Sequence, residues 1–171
     1  MDLWQPALVL YLHVLSFMLT YAAVAAEYAL LRSPPDADAI RSLGRADAVY
    51  GLSAVAVFAT GVIQVLYVGK GLDYYLQSGV LWSKVGIFTL VGVASVYPTI
   101  TFLRWQSAVD EAPASPFPAD SPDWGSVPTD LVSEAEPSAD ALRRLRRVVL
   151  VELGLLTALP LLGSLLRYGL P

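Results

Sequence analysis

Four apolar stretches, near residues 5 to 31, 47 to 69, 80 to 103 and 145 to 167, dominate this 171-residue chain. Each is long enough to cross about 30 Å of hydrocarbon at about 1.5 Å per residue. Hydrocarbon offers no partner to backbone N–H and C=O groups, so a crossing segment must satisfy them within itself as a helix. None of the four shows the alternation of a barrel strand. The sequence therefore predicts an all-α fold, a four-helix transmembrane bundle forming one membrane domain over 1–171, with a linker at 106–142 between the third and fourth spans. With 56% hydrophobic and 15% charged residues, the chain is too apolar for an ordinary soluble domain. The first stretch outruns the core of a signal peptide, follows Asp2 rather than a basic region and carries Glu27 where a cleavage site would be sought, so it reads as a retained span.

The formal charge of −4 does not describe the membrane part. Eight acids and six prolines lie between Asp110 and Asp140 with no base among them, a composition that predicts a disordered acidic loop. The remainder is net basic, and nothing in its pattern points to a nucleic-acid partner. Arg32, Arg41 and Arg45 follow the first span, whereas Arg104, Arg143, Arg144, Arg146 and Arg147 flank the acidic loop; the opposite side has only Lys70 and Arg167. The positive-inside rule then puts the arginine-bearing loops in the cytoplasm and both termini outside, in a multi-pass protein of an inner membrane whose first partner is the lipid bilayer.

The only histidine, His13, stands eight residues into the first span. An imidazole in hydrocarbon needs a partner, which makes it a candidate ligand or proton carrier. At about 100° per residue, Ser16, Thr20 and Glu27 fall on the same helix face, and Ala22, Ala23, Ala25 and Ala26 allow a neighbour to approach closely. Tyr50, Gly61 and Gln64 share a face of the second span, with Asp47 at its cytoplasmic edge; Lys84, Ser95 and Thr99 share one of the third; the fourth brings Glu152 with Gly163. By depth these sort into an outer layer of His13, Gln64 and Lys84 and an inner layer of Glu27, Asp47 and Glu152. Plainer readings stand beside these. Lys84 can snorkel to the interface, His13 can serve as an interhelical hydrogen-bond donor, and the three acids can pair with Arg32, with Arg41 or Arg45, and with Arg147. Trp4, Trp82 and Trp105 suit interfacial belts, and Pro160 suits a kink in the fourth helix.

With no cysteine, two methionines and one histidine, the chain lacks the ligand set of a copper or structural zinc site. A b-type haem on a single proximal histidine stays open, and helix bundles build such sites between facing helices.

Leu12-His13-Val14 in an aromatic-rich first helix, and Gly79-Val80-Leu81-Trp82-Ser83-Lys84-Val85 opening the third, resemble the histidine helix and the Gly-Trp-Leu-x-x-Lys-type segment of the HemJ-type protoporphyrinogen oxidases. Gly61 followed by an apolar run is similar as well. The general plan resembles a wider grouping that includes CopD-like membrane domains, and most of all a family of predicted bacterial four-helix inner-membrane proteins of unassigned function. The resemblance covers spans one to three. It implies a haem b ligated by His13, with Gln64 and Thr20 beside it, and Lys84 as a catalytic lysine meeting a propionate or a substrate carboxylate. The chain departs from the HemJ pattern at Tyr97-Pro98, where histidines are usual, in the register of Trp82 against Lys84, and in its acidic linker.

Two functions follow as expectations. One is a haem-binding redox protein, an oxidoreductase passing electrons from a porphyrinogen toward a quinone or another redox partner. The other is a non-enzymatic membrane module, a small transporter or accessory subunit, that uses Glu27, Asp47 and Glu152 as a proton or cation path. The four spans show no inverted repeat, and a homodimer would restore that symmetry.

Overall fold

A computed structural model describes residues 4–68, 71–111 and 138–168. Helix α1 spans Trp4–Leu30; α2 spans Ala37–Ile63 and continues through a π-helical segment, Gln64–Val68; a short α3 spans Leu72–Leu76; α4 spans Gly79–Glu111; and α5 spans Ala139–Tyr168. Among the described residues the fold is all-helical. Helices α1, α2 with its π segment, and α4 are each long and apolar enough to cross a membrane.

Helices α2 and α5 begin where the sequence supplies a cap. Ser33-Pro34-Pro35 ends the α1 register, and the Asp36 carboxylate then accepts the Ala39 N–H at 2.8 Å, satisfying one of the four orphan donors of α2. Ser138 does the same for α5, accepting the Ala141 N–H at 3.2 Å. Gly71, at φ +97°, takes the left-handed turn between the π segment and α3, a conformation that a Cβ disfavours. The Trp82 indole N–H donates to the Leu76 carbonyl at 3.0 Å and ties α3 to the start of α4.

These caps lengthen the helices past the expected spans. Helix α2 starts ten residues before position 47 because Ile40 and Leu43 are buried against the rest of the bundle. Helix α4 runs on to Glu111 with Phe102 packed inward, and α5 starts at Ala139 with Leu142 buried. The linker expected at 106–142 is therefore helical at both ends, over 106–111 and 139–142. The disordered loop expected between them lies outside the described residues.

Helices α1 and α2 pack as one hairpin and α4 and α5 as a second, and the hairpins meet along α2 with α4 and along α1 with α5. The diagonal pairs, α1 with α4 and α2 with α5, make no close backbone contact, so the four helices stand in a ring. Val24, Leu43, Val91, Phe102, Leu145, Val149 and Leu156 fill the centre, while Met18, Leu52, Val55 and Phe58 point outward, as a bundle bathed in acyl chains requires. The Gln106 side chain of α4 occupies the space a side chain at Gly44 of α2 would need, a small-residue approach typical of membrane helices.

The two kinds of aromatic position separate cleanly. Phe102 is 1% exposed and Phe58 is 60% exposed. Phe102→Ala is expected to destabilise the detergent-purified protein by about 3 kcal/mol or more through the cavity it leaves, and Phe58→Ala by about 0.5 kcal/mol or less. Equal shifts in the unfolding midpoints of the two variants would contradict the packing described.

Candidate functional site

The polar stripe of α1 faces into the ring and meets its neighbours at two levels. At the inner level, Glu27 of α1, Asp47 and Tyr50 of α2 and Glu152 of α5 stand together, with Asp47 and Glu152 near enough for their charges to act on Glu27 and Asp47 near enough to act on Glu152. Glu27 is 2% exposed and Glu152 is 1% exposed. One oxygen of each, Oε1 in both cases, is buried and has no hydrogen-bond partner among the described residues. Asp47 differs, because its Oδ1 accepts the Thr99 hydroxyl of α4 at 2.7 Å. The Tyr50 phenol turns to Ser95 of α4.

The ion pairs expected for these acids do not form. Among the described residues the salt bridges join Arg41 to Asp38 and Asp110, and Arg143 to Asp140, all exposed pairs. Arg146 Nε instead donates to the Leu31 carbonyl just past α1, neutralising the negative end of that helix. The helix ends therefore compete with the carboxyls for arginine, and Glu27 and Glu152 keep no cation. An ionised carboxylate at this depth without a cationic partner is unfavourable by several kcal/mol. Among the described residues no three His, Asp or Glu side chains converge as a metal ligand set.

At the outer level, His13 Nδ1 lies 3.1 Å from the Val57 carbonyl and 3.0 Å from Thr60 Oγ1. A carbonyl only accepts, and the Thr60 hydroxyl already donates to the Ala56 carbonyl at 2.6 Å, so Nδ1 carries the hydrogen and donates. That leaves Nε2 with no partner among the described residues. The ring passes over Gly61, where an added methyl would sit 3.4 Å from Cε1. Lys84 of α4 is half-buried, near enough for its charge to act on His13, and its Nζ lies 3.6 Å from the position of a Cβ on Gly163 of α5. Lys84 stands five residues from the start of α4 and Gly163 five from the end of α5, so the ammonium lies near the level of its own Cα, turned toward α5. Gln64 Nε2, at the first residue of the π segment, is buried and has no partner.

The structure thus brings Glu27, Asp47 and Glu152 near one another and Lys84 near His13, while Gln64 shares only their end of the bundle and Thr20 stands apart. Thr20 is turned into the α1–α2 seam, where its hydroxyl is shared between the Ser16 carbonyl and Ser53 Oγ, both at 2.9 Å. Thr60, Ser53 and Arg146 were not singled out from the sequence. Thr60 lies four residues before Gln64, the spacing of one helix face, and that was the available signal.

No curated protein and no solved structure matches this chain. Residues 5–171 match the family of predicted membrane proteins DUF2214. The chain belongs to that family. This DUF2214 membership bears out the expected membrane family and gives no support to the HemJ-type or CopD-like likeness.

Because Glu27 and Glu152 of this DUF2214 protein hold no arginine, Glu27→Gln and Glu152→Gln are each expected to leave the unfolding midpoint within about 4 °C of the parent, on the order of 1 kcal/mol. Broken buried ion pairs would cost about 3 kcal/mol or more, and a drop of that size would restore the ion-pair reading.

Proposed function

We propose that this protein is a four-span module of an inner membrane, with both termini outside and α5 as its fourth crossing, that exchanges protons through Glu27, Asp47 and Glu152. The observation that supports this reading is the pair of buried carboxyl oxygens on opposite hairpins that no arginine, lysine or hydroxyl satisfies. A carboxyl that takes a proton and passes it on needs an oxygen not already committed to a partner, and Glu27 and Glu152 each have one among the described residues. Asp47, held by Thr99, and the Tyr50 phenol stand between the hairpins as further exchange partners. Each step moves one proton from a carboxylic acid to a carboxylate, and no net charge accumulates as long as one leaves for each that enters. The half-turns of arginine below the layer, Arg143 to Arg147, lie on the side from which such a layer would be filled.

The transition is visible directly. Infrared difference spectra of the protein in membranes between two pH values are expected to show a protonated-carboxyl band that diminishes in Glu27→Gln and in Glu152→Gln and persists in His13→Ala. Spectra without such a band, or with one unchanged by both glutamine variants, would overturn the proposal.

A second reading, a haem b on His13 in a redox protein, is favoured by one specific observation: the Nδ1–H bond to Val57 leaves Nε2 as the free nitrogen. Ligating histidines are commonly oriented in this way. A haem bound there would be held by His13, whose imidazole the Val57 carbonyl orients, and would supply one-electron chemistry. A Soret band in protein from haem-replete cells, lost in His13→Ala, is the expected result; colourless protein would remove this reading and leave the carboxyl layer untouched.

A further inference from the structure

Lys84 is a cation without an anion. It makes no hydrogen bond and no ion pair among the described residues, although its side chain is half-buried and turned toward Gly163. An ammonium held below the interface needs a counter-charge. The buried acids do not provide it, because Glu27 and Asp47 lie toward the other end of their helices and Glu152 lies eleven residues before Gly163 on α5. Three further features share this level. Gln64 presents a buried amide N–H with no acceptor. The backbone there departs from α-helical geometry in the π segment that Gln64 opens, a form found mostly as short insertions at functional sites. That segment packs on α1 and α3 and makes no close backbone contact with α4 or α5. His13 and Gln64 from one hairpin and Lys84 from the other thus stand at one level, the outer end of the bundle, where the Lys84 charge acts on His13.

We propose that this level of the bundle carries an oxyanion site, in which a phosphate or carboxylate group is held between the Lys84 ammonium and the Gln64 amide, with His13 beside it. The ammonium supplies the charge and the amide a directed donor, and a single oxyanion has enough lone pairs to accept from both. Gly163 gives the Lys84 side chain room to lie against α5, and Gly61 does the same for the His13 ring against α2. The site is independent of proton exchange in the inner layer. Its ligand has two sources, the phosphate of an anionic outer-leaflet lipid and a free anion from the outer side.

The test uses the full chain. Native mass spectrometry of protein released from nanodiscs of phosphatidylcholine mixed with phosphatidylglycerol reads the lipid arm, and calorimetric titration with inorganic phosphate in nanodiscs of phosphatidylcholine alone reads the free-anion arm. Binding in at least one arm is expected, weakened roughly tenfold or more by Lys84→Gln and by Gln64→Leu, the loss of a charge-assisted contact. Lys84→Arg, which keeps the charge, and Arg41→Gln at the far end of the bundle are expected to retain it. Retention of phosphatidylglycerol alone assigns the site to lipid, and phosphate heat alone assigns it to a free anion. No preference for phosphatidylglycerol together with no phosphate heat would overturn the proposal, as would binding unchanged in folded Lys84→Gln and Gln64→Leu.

Discussion

Hydrocarbon gives a polar side chain nothing to bond, and that one constraint accounts for where nearly every polar group of this protein goes. Hydroxyls turn back on their own helices, as Thr20 does to Ser16, Thr60 to Ala56 and Thr157 to Leu153, at 2.6 to 2.9 Å. Groups too long or too charged for that solution are driven into the ring of four helices. There they gather at two depths, acids toward the arginine-bearing ends and His13, Gln64 and Lys84 toward the other. The apolar remainder, Leu52 and Phe58 among it, is left to the lipid.

The separation of the two layers has an energetic consequence. Had Glu27 or Glu152 met an arginine, the pair would be a structural fixture, because removing one partner strands the other. Arg146 is instead spent on the Leu31 carbonyl, and Arg41 reaches across to Asp110 at 3.8 Å on the surface, where such pairs contribute about 1 kcal/mol or less. The Glu27 and Glu152 carboxyls are left without a cationic partner among the described residues, the condition the proposed exchange requires. Asp47, fixed by Thr99, ties the layer to α4.

Much of this is legible in the chain. Lengths of apolar run give the helices, and a period of about 100° per residue places His13 and Glu27 on one face and Lys84 with Thr99 on another. Depth along each run is enough to assign the layers. What the sequence does not carry is the choice among partners. Glu27 is five residues from Arg32, which reads as an ion pair, yet the chain turns at Ser33-Pro34-Pro35 and Arg32 forms no salt bridge. The inward turn of Lys84 depends on Gly163, 79 positions away, and the tautomer of His13 depends on the Val57 carbonyl, since backbone acceptors have no signature in sequence. The π segment at Gln64 is likewise a tertiary outcome. The caps at Asp36 and Ser138 were readable but fall outside the apolar runs, and for that reason α2 and α5 begin earlier than hydropathy alone indicates.

The central claim, that Glu27 and Glu152 are proton-bearing acids in an apolar layer without cationic partners, is open to direct chemical labelling. A lipid-soluble carbodiimide reacts with protonated carboxyls in apolar surroundings, and peptide mass mapping locates the adduct. Adducts on Glu27 and Glu152 in membranes near neutral pH, with the exposed Asp38 and Asp110 unlabelled, are the predicted result. An adduct pattern that leaves both glutamates unmodified would contradict the account.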